Sequence, residues 1–89
     1  MNRNVITITP TGDITLDEWA EECPPLGKMQ AAVGGLIEHV YLKDGRVMVV
    51  NEQGLLRRLP ENHSASRMCQ RFIVGNALIF CADYIIGDV

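Results

Sequence analysis

Between Leu26 and Asn51 the spacing of apolar residues changes from a helical period to a strand period within a few positions, which places a short helix directly before a β-hairpin. Leu26, Met29 and Val33 recur at intervals of three and four, on one face of a helix of about two turns. Pro24 and Pro25 precede it, where a missing N–H leaves nothing unsatisfied. Gly34 and Gly35 end it, because a glycine past the last apolar position takes the left-handed conformation that closes a helix. From Leu36 to Leu42 and from Val47 to Val50 the chain is rich in β-branched and aromatic residues, the mark of paired strands. Asp44-Gly45 between them signals a two-residue hairpin loop. That loop predicts Leu42 opposite Val47, Tyr41 opposite Met48, Val40 opposite Val49, His39 opposite Val50 and Glu38 opposite Asn51. Leu36, Val40, Leu42, Val47 and Val49 then share one face, and Ile37, His39, Tyr41, Met48 and Val50 the other. Both faces are apolar, so the second calls for cover by another element or a partner chain.

The remaining segments read as elements packed on that unit. Val5–Thr9 alternates as a strand and Pro10–Asp13 turns the chain. Thr15 and Glu18 have capping-box spacing, with Leu16, Trp19, Ala20 and Cys23 following at helical intervals. The helix predicted there is acidic on its outer side, at Asp17, Glu18, Glu21 and Glu22. Glu52-Gln53-Gly54 is a turn, and Leu55–Leu59 a weak strand or extended segment ended by Pro60. Asn62 caps a helix running to about Arg71, its apolar side made of Ala65, Met68, Cys69 and Phe72. His63, Arg67 and Arg71, spaced by four, form a polar row on it. After Gly75-Asn76, the unbroken apolar run Ala77–Ala82 fits a central strand. The tail Asp83–Val89 is apolar enough to dock on its own domain or on a neighbouring subunit.

At 89 residues, 47% of them hydrophobic, the chain builds one core and is read as a single domain over 1–89. The expected architecture is α+β, a mostly antiparallel sheet of about four or five strands with two or three short helices packed on one side. A net charge of −3 argues against a nucleic-acid partner, whose phosphates demand basic groups. The absence of an apolar stretch of about 18 residues argues against a membrane span, and MNRNVITITP lacks the apolar core of a signal peptide. A soluble, cytoplasmic protein is expected. Cys23, Cys69 and Cys81 are odd in number and widely spaced, which fits reduced, buried, inert thiols better than a metal site. His39 and His63 complete no ligand pattern.

The strings LGKMQAAVGGLIEHVYL, VVNEQGLLRRLPENHSAS and FIVGNALIF resemble the domain-of-unknown-function family numbered 3846, over roughly Leu26 to Phe80. Gln30, Val33-Gly34-Gly35, Asn51 with Glu52 and Gly54, Leu59-Pro60, Asn62, Ala65 and Gly75 carry the resemblance. The family comprises small proteins of phages, prophages and bacterial mobile elements. The resemblance implies an accessory protein of such an element, non-enzymatic and acting by binding.

Gly34, Gly35, Gly45 and Gly75 read as backbone turns and Asn62 as a helix cap. Asn51 can anchor a turn, and Gln30, beside the Met29 and Val33 face, either bridges backbone groups or meets a ligand. No nucleophile with a base, carboxylate pair or phosphate loop appears, so no enzyme activity and no cofactor are expected. Two binding readings follow. In the first the chain engages a host or phage protein through an apolar or acidic surface. In the second it sequesters a nucleotide-type small ligand, with Gln30, Asn51, Arg57, Arg58, His63, Arg67 and Arg71 as candidate contacts and Tyr41 or Trp19 stacking on a base. A homodimer is expected over a monomer.

Overall fold

Val5, Ile6 and Ile8, set among threonines, form strand β1 (Arg3–Ile8) in the computed structural model, which describes residues 3–86. Thr9 donates its N–H to the Asp13 carbonyl (3.0 Å) across the loop Pro10-Thr11-Gly12. The chain returns as strand β2 (Ile14–Trp19), antiparallel to β1, with Ile8 opposite Ile14 and Arg3 opposite Trp19. This strand replaces the helix predicted from Thr15 and Glu18. A helix of two turns by itself barely repays its nucleation cost. Ile14 and Thr15 favour extended backbone, β1 offers a ladder along all of β2, and Trp19 packs against the core.

Helix α1 (Leu26–Val33) follows as predicted. Gly34 is left-handed (φ 82°), and the N–H groups of Gly34 and Gly35 both donate to the Gln30 carbonyl, at 2.8 and 3.0 Å. Met29 and Val33 are buried, whereas Leu26 of the predicted face is exposed.

Strands β3 (Ile37–Tyr41) and β4 (Arg46–Asn51) form the predicted hairpin one residue out of the predicted register. Tyr41 lies opposite Val47, Val40 opposite Met48 and Ile37 opposite Asn51. The loop has three residues, Lys43-Asp44-Gly45, closed by the Leu42 N–H donating to the Arg46 carbonyl (2.9 Å). Gly45 takes the left-handed bulge position (φ 86°), and the Asp44 carboxylate accepts from the Arg46 N–H (3.2 Å). Because side chains alternate, the slip exchanges which β3 residues share a face with which β4 residues.

Glu52–Arg58 is a continuous set of turns, so the extended segment predicted at Leu55–Leu59 does not form. Asn51 Oδ1 accepts from the Gln53 N–H (2.8 Å), and bonds from Arg57 to Gln53 and from Leu59 to Gly54 curl the chain before a strand can start. Helix α2 (His63–Cys69) is capped by Asn62 as predicted but stops at Gln70, which is left-handed (φ 55°). Arg71 and Phe72 therefore lie outside it, which breaks the predicted His63–Arg67–Arg71 row and leaves Phe72 60% exposed.

Strand β5 (Ala77–Cys81) is central, in the order β2-β1-β5-β4-β3 with every neighbour antiparallel. On one face Val5, Val47, Val49, Leu78 and Phe80 pack with Met29 and Val33 of α1 and with Tyr84 of α3 (Asp83–Ile86). On the other, Ile8, Val40, Met48, Val50 and Ile79 pack with Ala65 of α2 and with Ile73. The class is α+β, with α1 and α3 on one side of a five-stranded antiparallel sheet and α2 on the other. Both faces of β4 are thus covered from within the chain, while His39 and Tyr41 on β3 stay exposed. Of the tail, Tyr84 docks on the core; Gly87–Val89 lie outside the described residues. Cys23 and Cys81 are exposed and Cys69 half-buried, all with free thiols. Burial was expected for all three, but Cys23 precedes α1 in a loop and Cys81 ends β5, beyond the covered part of the sheet.

Candidate functional site

The motif asparagines work on the backbone. Asn62 is 0% exposed; its Nδ2 donates to the carbonyls of Ile8 and Gly75, both at 2.9 Å, and its Oδ1 accepts from the Ala65 N–H (3.1 Å). One side chain thus joins the end of β1, the bend before β5 and the start of α2. Gly75 has a left-handed φ of 76°, and a Cβ there would stand 2.8 Å from Leu59 Cδ1. Asn51 is buried and donates from Nδ2 to the Val33 carbonyl (3.0 Å), and Asn76 Nδ2 donates to that of Ala32 (3.1 Å). Arg57 Nη1 donates to the carbonyl of Gly34. Three side chains from later segments therefore satisfy consecutive carbonyls at the α1 terminus, which a helix leaves without internal partners.

The other candidate contacts are dispersed. Gln30 is half-buried on α1, Arg58 is exposed with φ 54°, and Arg67 is exposed in the last turn of α2. His63 Nδ1 lies 3.5 Å from Glu61, and Arg71 lies 3.4 Å from Glu38 on β3. Trp19 and Tyr41 stand on the two outer strands, four strand spacings or about 19 Å apart. Two open grooves, one of about 370 Å³ between Pro10, Ala32 and Pro60 and one of about 240 Å³ between Tyr41, Asp44 and Cys69, are lined by no arginine. Among the described residues no group of three or more His, Cys, Asp or Glu side chains is placed to hold a metal. No helix among them is long and apolar enough to cross a membrane.

The feature with the form of a binding surface is β2. It is an outer strand, and Ile14, Thr15, Leu16, Asp17 and Glu18 are all exposed, so neither face of it is covered there. Ile14 and Leu16 are 69% and 66% exposed. The Thr9–Asp13 hydrogen bond sets the ladder: alternate residues Asp13, Thr15 and Asp17 direct their backbone groups to β1. Ile14, Leu16 and Glu18 therefore direct theirs to the open edge. Their side chains share the α2 face with Ile6 and Ile8, while Thr15, Asp17 and Trp19 take the α1 face.

The charge of this edge has one sign. Asp13, Asp17, Glu18, Glu21 and Glu22 are five of the eleven acids, and residues 13–23 hold no lysine or arginine. Glu21 is met by Lys28 at 2.9 Å, and that hydrogen bond holds its carboxyl below the usual range. Lys28 also lies over the Trp19 ring, 5.3 Å from its centre, which pins the end of β2 to α1. Sequence reasoning missed Ile14 and Leu16 as surface residues. The usable signal was their alternation with Thr15 and Asp17 directly after a Pro-Thr-Gly turn.

The model of the family described as "Domain of unknown function (DUF3846)" matches residues 1–87, so the likeness extends past Leu26–Phe80 to include β1 and β2. No curated protein and no solved structure matches the chain.

Proposed function

This chain belongs to the DUF3846 family, whose domain has no assigned function, and on that premise we propose that it is a non-enzymatic binding module acting on another protein. In this reading it serves a phage or other mobile element as an accessory protein and engages a host or phage polypeptide. The observation that carries the reading is the open β2 edge, where two large apolar side chains and unpaired backbone groups face solvent within an acidic surround. A homodimer belongs to the proposal only through other surfaces, since two β2 edges would set Asp17 and Glu18 of one copy against the same pair of the other. Sequestration of a nucleotide-type ligand has less support. Arg57 and Arg71 are engaged with Gly34 and Glu38, and the aromatic candidates stand on opposite edges of the sheet.

A photoreactive residue placed at position 16, and in a second variant at the still more exposed apolar position 56 on the turn after β4, tests the reading in the native host. A polypeptide cross-linked from position 16 and not from position 56 supports it. No cross-link from 16, or the same products from both, overturns it.

A further inference from the structure

Resting on that binding-module reading, we propose that β2 receives an extended polypeptide segment alternating basic and apolar residues, which adds to the sheet as a sixth strand. Ile14, Leu16 and Glu18 present their N–H and C=O groups outward at two-residue intervals over roughly 14 Å, the length of a five-residue strand. Main-chain bonds to such an edge are indifferent to sequence; the flanking side chains choose the occupant. On the α2 face Ile14 and Leu16 offer an apolar stripe to every second residue of an incoming strand. On the α1 face Asp17 stands where a basic side chain of that strand would lie, and Glu18, at the end of the apolar stripe, flanks it together with Asp13 and Glu22.

The same charges reject the other occupants. A second β2 edge brings carboxylate against carboxylate, and a nucleic acid brings phosphate against carboxylate. The opposite edge of the sheet lacks this character. There Leu42 and Leu36 bond to β4-side groups, so Ile37, His39 and Tyr41 face outward, and Glu38 is already paired with Arg71.

The test is a titration of the isotopically labelled protein with a blocked heptapeptide alternating lysine and valine, followed by amide NMR and hydrogen exchange. A heptapeptide alternating glutamate and valine is the control. The expected result is saturable shifts and new exchange protection at the Ile14, Leu16 and Glu18 amides, with binding at least tenfold weaker for the glutamate peptide. Affinity should fall about tenfold between 50 and 500 mM salt. Leu16→Pro removes one outward N–H without touching the ladder to β1 and should abolish binding. The double variant Asp17→Lys with Glu18→Lys, both on exposed positions, should reverse the preference between peptides. Equal binding of both peptides, shifts confined to Ile37–Tyr41, or protection of the β2 amides by self-association without peptide would each overturn strand addition. If the peptide fails while position 16 still cross-links a partner in the host, strand addition falls and the binding-module reading stands.

Discussion

Tyr84 is 6% exposed, its ring set edge-on against Phe80 and Trp19 and under the Arg3 guanidinium, yet its hydroxyl has no hydrogen-bond partner among the described residues. A buried hydroxyl left unpaired is a cost that the ring's burial must outweigh. Tyr84→Phe should raise stability by about 1 kcal/mol in chemical denaturation. Burial also pushes the Tyr84 phenol above its ordinary value of 10.0, with the charge of Glu21 acting in the same direction. The unfolded chain then releases this proton first as pH rises, so the stability it contributes is present below about pH 10 and lost above it. The alkaline decline should be shallower in Tyr84→Phe than in the wild type; identical slopes would exclude this cause. At this scale the sequence was informative about the backbone-serving residues. Asn62 was legible as a cap, because an asparagine before a helical run has few other uses. That its amide also reaches Ile8 and Gly75, far off in the chain, was not legible, since those contacts exist only once β1 and β5 are paired.

Two hairpins are built alike. In each, a three-residue loop ends in a left-handed glycine, Gly12 (φ 91°) or Gly45 (φ 86°), and is closed by one backbone bond, from Thr9 to Asp13 or from Leu42 to Arg46. Asp-Gly predicts a two-residue loop, and the extra residue in the observed loop moves the register by one. The decision lies in the backbone geometry that joins two twisted strands, to which both loop lengths are open. No atom lies within 4 Å of a Cβ added at Gly45, so the penalty for a side chain there comes from the left-handed backbone alone. Gly45→Ala should cost about 1–2 kcal/mol, and Gly45→Asn distinctly less, by chemical denaturation. Equal stability of Gly45→Ala and wild type would argue for a loop of another type. The segment Ile14–Trp19 was ambiguous for a different reason. Leu16, Trp19 and Ala20 satisfy a helical period while Ile14 and Leu16 satisfy a strand period, so the choice fell to the neighbour, β1.

Across the whole molecule, protection should follow strand position. Backbone amides exchange at rates set by the opening of their own segment, and β5 is paired on both sides. Hydrogen exchange should be slowest in Ala77–Phe80 and fastest, among strand residues, at the outward amides of the two edge strands, Ile14, Leu16 and Glu18 on β2 and Ile37, His39 and Tyr41 on β3, with Thr15 and Asp17 slower than their neighbours. Uniform protection along β2 would contradict the ladder assigned to it. The sequence by itself determined the α+β class, helix α1 with its glycine stop, the cap of α2 and the central place of β5. Each of these rests on local propensity or on an unbroken apolar run, which travel with the residues themselves. Tertiary structure decided that Ile14–Trp19 is a strand, which residues face each other in the second hairpin, and that β2 is left at the edge. An edge is a property of strand order, and strand order follows from which long-range pairings bury both faces of the sheet at once, information that no single segment carries.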